Sequence, residues 1–230
     1  MSGSAPVVPG QPHGNQAPSA GHTWLGAQVV EEGVRFRCWA PKPARLDVVL
    51  GPHDTVHALT RGADGYWSGL VPEARPGMTY RYRVDGQSVY PDPCSRYQPE
   101  GPHGPSLIVD SDSFAWRDQQ WPGLTIHGQV VYELHIGAFT PQGTFDAAIT
   151  RLDALKDLGI TVIEIMPVAE FPGRWNWGYD GVCLYAPAHV YGEYDALKRF
   201  VDEAHQRGLG VILDVVYNHL GPDGNYLPVF

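Results

Sequence analysis

Residues 211–219 read Val-Ile-Leu-Asp-Val-Val-Tyr-Asn-His, an almost unbroken apolar run that holds one carboxylate and closes in Asn and His. A strand with one face in water alternates apolar and polar residues, whereas a run like this one is covered on both faces. That is the habit of a parallel strand flanked by helices, whose polar carboxyl end opens on an active site. Residues 130–139 and 160–168 share the design. Between the three runs lie segments of helical spacing. Thr144 is a fitting N-cap for a helix with Ala148, Leu152 and Leu155 on one face and Gly159 at its end, and Asp195 for a second with Leu197, Phe200, Val201 and Ala204, closed by Gly208. A β/α series is therefore expected, with parallel strands over 131–136, 162–166 and 211–216.

Upstream the period is two. Val34, Phe36 and Cys38 alternate with Arg35, Arg37 and Trp39, and Tyr80, Tyr82 and Val84 alternate with Arg81, Arg83 and Asp85. Asp64-Gly65 and Asp85-Gly86 are hairpin signals, because both central positions of the tight turn need positive φ. Short strands with frequent turns predict a small β-sandwich. Trp39, Tyr66 and Trp67 have faces that suit a sugar, but packing within the sheets is the favoured reading. Prolines thicken between residues 90 and 104, and 111–128 is irregular. The expected organisation is a flexible tail over 1–22, a sandwich over 23–110, a linker over 111–128 and the first three βα units of a (β/α)8 barrel over 129–230. The fold class is thus all-β followed by α/β.

Charge and cysteine content limit the partners. Sixteen basic against 25 acidic residues give a net charge of −9 with no basic cluster, which disfavours nucleic acid. No apolar run approaches the roughly 20 residues that cross a bilayer, so no membrane partner is expected. Cys38, Cys94 and Cys183 are odd in number and widely spaced, without a metal-binding pair. The tail lacks the apolar core of a secretory signal. A reducing, cytoplasmic setting is expected.

Two further features bear on chemistry. Glu133 and His135 fall on one face of the first strand, where they can be an acid/base device, half of a metal site or, the preferred reading, hydrogen-bonded core. Residues 169–193 form a long connection carrying Phe171, Trp175, Trp177, Tyr179 and Tyr185. Loops at the carboxyl face of such barrels build their active sites, and flat rings suit flat sugar faces, so Trp177 and Tyr179 are candidate sugar contacts; a self-packed loop is the alternative.

At this point a resemblance enters. Asp214-Val215-Val216-Tyr217-Asn218-His219 resembles the first signature region of the alpha-amylase superfamily of glycoside hydrolases and transferases, at the end of the third barrel strand. Gly178-Tyr179-Asp180 and residues 159–167 are similar to its pattern around strand two. Tyr132 to Phe145 and Asn218 to Leu227 resemble a branch that releases trehalose from malto-oligosyltrehalose, and the sandwich is similar to the carbohydrate-binding, E-set-like N-terminal domain of that branch and of glycogen branching and debranching enzymes. The resemblance implies that Tyr179 stacks on the sugar at the cleavage subsite and that His219 hydrogen-bonds it. Asp214 would be a buried aspartate organising the site, paired with an arginine from a later strand. Asn218 stands where many amylases bind calcium, but this branch generally lacks the ion, so no metal or cofactor is implied.

Retaining glycosidases need a carboxylate nucleophile and a carboxylic acid about 5–5.5 Å apart. The resemblance sets these on strands four, five and seven. No catalytic residue is therefore expected among the 230, and the chain reads as the front part of an enzyme. Three functions stay open: part of a trehalose-releasing hydrolase acting on malto-oligosyltrehalose or another α-glucan, part of a branching-type transferase, or a non-catalytic glucan-binding module.

Overall fold

A computed structural model describes residues 24–230, so the flexible tail expected over 1–22 lies outside the described residues. Antiparallel strands come first: β1 (Gly26–Val30), β2 (Gly33–Trp39), β3 (Leu46–Leu50), β4 (Thr55–Ala58), β5 (Thr60–Arg61), β6 (Tyr66–Val71), β7 (Thr79–Val84), β8 (Val89–Tyr90) and β9 (Ser106–Leu107). They form two sheets, ordered β1-β2-β6-β5 and β4-β3-β7-β8, with β9 also on β7. The alternation seen in the sequence is the reason. Val34, Phe36 and Cys38 point inward from β2, Tyr80 and Tyr82 from β7, and Leu46, Val48 and Leu50 from β3. Phe36 meets Tyr80 edge-on at 5.0 Å. Burying one such side chain contributes about 1.5–3 kcal/mol.

Both hairpin signals fold as their φ angles require. Asp85 (φ 50°) and Gly86 (φ 71°) turn β7 into β8, and Asp64 (φ 57°) and Gly65 (φ 80°) lead into β6. Trp67 is buried and donates its indole N–H to the Ala40 carbonyl at 2.9 Å. Trp39 stays on the outer face, and Tyr66 lies beneath the Arg37 guanidinium at 4.4 Å.

The proline-rich stretch after β8 encloses a buried polar cluster. Asp92, fully enclosed, accepts from the hydroxyls of Tyr80 (2.6 Å) and Tyr82 (3.3 Å) and from the Cys94 N–H (2.7 Å). The Ser106 hydroxyl accepts from the Asp92 N–H and donates to Gln98. Prolines exclude a ladder here, so side chains satisfy the backbone instead.

The second part contains β10 (Val131–Leu134), α1 (Ile136–Phe139), α2 (Phe145–Ile149), α3 (Leu152–Asp157), β11 (Val162–Ile165), β12 (Ala169–Glu170), β13 (Cys183–Pro187), α4 (Ala196–Gln206) and β14 (Gly210–Leu213). β10, β11 and β14 are parallel and adjacent, with β11 central. Leu134, Phe145, Leu152, Ile163, Ile165, Phe200 and their neighbours form a second core. Residues 111–128 hold no helix or strand and run along α4. There Asp202 accepts from the N–H and Nε of Arg117, both at 2.7 Å, and Trp121 stacks flat on His205 at 4.7 Å.

Several expectations need correction. The third strand spans 210–213 rather than 211–216, and among the described residues Ile212 and Leu213 on it are exposed. Among the described residues it pairs on one edge only, with β11. The first helix is two, α2 and α3, broken where the Thr150 hydroxyl donates to the Ala147 carbonyl at 2.7 Å. Thr144 caps α2 by accepting from the Ala147 N–H, whereas Asp195 begins α4 without a capping bond and pairs with Lys198 at 3.0 Å.

Burial holds the Asp92 carboxyl above its ordinary value of 3.8, against the hydrogen bonds from Tyr80, Cys94 and Tyr82 and the charge of Arg96, which pull it down. A folded value above the unfolded one means that the fold favours the protonated acid. The stability attached to Asp92 is then complete below pH 3.8 and declines as pH rises through the folded value. Chemical denaturation across pH should therefore show the wild type losing stability relative to Asp92→Asn as pH climbs from 3.8, then levelling. Parallel curves would refute this assignment.

Candidate functional site

The three parallel strands end at one level. Leu134, Ile165 and Leu213 are register partners, and the ladder runs one step further through Met166 N–H to Leu134 O (3.0 Å) and Asp214 N–H to Ile165 O (2.9 Å). The next residues are therefore delivered to a common edge: His135 after β10, Met166 after β11 and Asp214 after β14.

The aromatic connection between β12 and β13 folds back over this edge. Asn176 makes its turn. The Asn176 side-chain oxygen accepts from the Gly178 N–H at 2.7 Å, and its carbonyl accepts from His135 Nε2 at 2.7 Å. Gly178 sits at φ 101°, and a Cβ added there would run into the Pro167 carbonyl oxygen. The backbone thus lies directly on the end of β11, which only glycine permits.

Tyr179 follows at once. Its hydroxyl donates to Asp214 Oδ2 at 3.2 Å, and its carbonyl accepts from His219 Nε2 at 2.8 Å. A carbonyl can only accept, so His135 and His219 each carry a proton on Nε2. His135 Nδ1 is buried and without a partner. The Tyr179 phenol is pushed above its ordinary value, first by desolvation, then by the charge and hydrogen bond of Asp214, with Glu133 and Glu164 adding to it. The pocket face is therefore acidic. A neutral, hydroxyl-rich ligand suits it better than an anion.

The structure brings Tyr179, Asp214 and His219 together. Asp214 is only half-buried, and among the described residues it has no ion-pair partner, so the expected buried pair with an arginine is absent from this chain. Asn218 is exposed, and Trp177, 79% exposed, stands clear of the cluster beside Trp175 at 75%. The loop is therefore not self-packed at its tip. Glu133 is exposed, while His135 binds the loop rather than Glu133. Sequence reading passed over Asn176 and Tyr191, whose hydroxyl lies 3.3 Å from His135 Nε2. The Asn-x-Gly spacing was the available signal. Among the described residues, no group of three or more His, Cys, Asp or Glu is gathered that can hold a metal. A cleft of 730 Å³ opens on the flank between Trp24, Arg96, Tyr185, Tyr194 and Lys198, and a smaller one of 150 Å³ reaches Gly178, Asp214 and Tyr217.

Gly178→Ala should destabilise the fold by about 1–3 kcal/mol, because it adds both left-handed strain and a clash. Tyr179→Phe, losing one solvent-exposed hydrogen bond, should cost less than Gly178→Ala. Thermal unfolding of both variants tests the order, and a Gly178→Ala protein as stable as Tyr179→Phe would contradict the packing described.

Comparison with known proteins bears on the fold and the family. A family model described as carbohydrate-binding module 48, the isoamylase N-terminal domain, matches residues 24–101. Malto-oligosyltrehalose trehalohydrolase of Saccharolobus solfataricus is 46% identical over 203 residues, covering 88% of this chain and 36% of that protein. The enzyme of the same name from Mycobacterium tuberculosis strain H37Rv is 51% identical over 201 residues, covering 85% and 34%. A crystal structure described as a putative alpha amylase from Salmonella typhimurium superposes with a TM-score of 0.85 at 46% identity, over 89% of this chain and 35% of that one. The chain spans about a third of the length of the relatives it matches. The alpha amylase catalytic domain model matches residues 89–227, more than half of the sequence, and on that ground the chain belongs to the alpha-amylase family.

Proposed function

We propose that the protein serves α-glucan hydrolysis, with malto-oligosyltrehalose as substrate and trehalose as product, through cleavage of the α-1,4 bond next to the terminal trehalose unit. One observation carries the reading: a tyrosine ring held at the carboxyl edge of parallel strands, its hydroxyl on Asp214 and its carbonyl on His219. Aromatic faces bind the apolar faces of sugars, and the polar groups around them select hydroxyls. In this reading Tyr179 is the stacking platform, His219 a sugar contact, Asp214 the group that orients both, and Trp177 an outer aromatic contact. Asn218 lines the same edge. The choice of trehalose as product rests on the trehalohydrolases that share close to half of this sequence.

The proposed division of the chain is a sandwich over 23–110, a linker over 111–128 and barrel units from 129. Three free cysteines, Cys38 and Cys183 among them buried, suit a reducing cytoplasm. Among the described residues no helix is long and apolar enough to cross a membrane.

These residues bind and orient; none of them has the role of nucleophile or acid. We therefore expect the 230-residue chain to release no trehalose from malto-oligosyltrehalose above the level of a mock preparation. Release in proportion to protein concentration would transfer the chemistry to Glu133, Glu164 or Asp180 and overturn these assignments. Calorimetric titration with malto-oligosaccharide should show binding that Tyr179→Ala weakens, because the stacking face is lost. New α-1,6 branches in place of trehalose would favour a branching-type transferase, and binding without turnover in any longer form would favour a glucan-binding module.

A further inference from the structure

The connection carrying Tyr179 starts from a weak base. β12 has two residues, and its pairing with β13 slips between Ala169↔Pro187 and Glu170↔Cys183. Two flanking backbone bonds, Val182 N–H to Glu170 O (2.8 Å) and Ala188 N–H to Val168 O (2.7 Å), complete the ladder. A ladder so short and irregular gives little purchase on the aromatic segment it supports.

A carboxylate supplies what the ladder lacks. Glu170 is fully buried and accepts from the Phe171 N–H at 3.1 Å, the His189 N–H at 2.8 Å, and His189 Nδ1 at 3.0 Å to each oxygen. Phe171 opens the segment and His189 lies just beyond its return. One side chain therefore joins the two ends. Burial raises the Glu170 carboxyl, and the bonds from His189 and Phe171 oppose that shift, as a carboxylate used as an acceptor requires. The His189 ring packs beside the proline-rich connector, where a Cβ on Gly101 would lie 3.5 Å from its Cε1.

We propose that Glu170 and His189 are positioning residues, a polar clamp that closes the base of the 171–188 segment and so holds Tyr179 in reach of Asp214. The clamp needs an acceptor at both carboxylate oxygens. A glutamine would turn one of them into a donor facing an N–H. At His189 only the donor at Nδ1 matters, and an asparagine amide nitrogen can replace it.

The segment contains its own reporter, since Arg174 is exposed and gives trypsin a cleavage site inside it. Limited proteolysis of the 230-residue protein, read by mass, should show cleavage after Arg174 rising about tenfold or more in His189→Ala and Glu170→Gln. That is the scale of losing a hydrogen bond to a charged acceptor from a local opening equilibrium. His189→Asn should return the rate to within about twofold of wild type, the donor being restored. Unchanged cleavage in His189→Ala, equal acceleration in His189→Asn, or a rise at every Lys and Arg alike would overturn the clamp. A parallel titration with maltoheptaose, followed by tryptophan fluorescence, separates this from the proposed function on which its purpose rests. Absence of binding by the wild type would remove the glucan reading, while the Arg174 pattern alone decides the clamp.

Discussion

The register of β11 with its two parallel neighbours is the constraint on which the site depends. Parallel strands fix where their ends fall relative to one another, and here Leu134, Ile165 and Leu213 share one level. Whatever follows those residues must emerge side by side, so chain positions some thirty to eighty residues apart are brought to one edge. A slip of one residue in β14 would turn the Asp214 side chain to the opposite face and away from the Tyr179 hydroxyl, since side chains alternate along a strand. The aromatic connection adapts to that edge rather than creating it: Gly178 rests on the end of β11, and the imidazoles of His135 and His219 fasten backbone carbonyls on either side of the turn.

Much of the architecture was legible because burial leaves a periodic trace. The alternation of Val34, Phe36 and Cys38 announced β2, and the turns at Asp64 and Asp85 needed residues that accept positive φ. The apolar run at 211–216 announced a parallel strand, but its coverage could not be read from it. Helix breaks were hidden for another reason: the α2–α3 interruption arises from one threonine hydroxyl competing with the helix's own bonds, which no periodicity reports.

The site was legible in part. Tyr179, Asp214 and His219 were named from a motif, and the structure assembles them. Glu170 gave no signal, because a glutamate at the edge of a loop is ordinarily solvated, and its burial follows only from both segment ends converging on it. His135 was weighed as a partner of Glu133 on strand periodicity. His135 keeps an extended backbone just past the end of β10, but its ring reaches the Asn176 carbonyl of the loop, while Glu133 is exposed.

The last residues return to the first sheets. Phe230 is buried against Tyr82 and Tyr90 at 6.1 and 6.3 Å, its carbonyl accepts from the Lys42 N–H at 3.0 Å, and the His103 ring joins Tyr226 at 2.6 Å to Asp223 at 3.2 Å. The sandwich core is thus finished by side chains made nearly two hundred residues after β2. During synthesis the first sheets emerge from the ribosome long before Phe230 exists, and the interval is many seconds at about 5–20 residues per second. For that time the nascent domain has an apolar notch beside Tyr82. The order of assembly is then not the order of translation: the sheets form early, and the sandwich core closes only after the three parallel strands have been made.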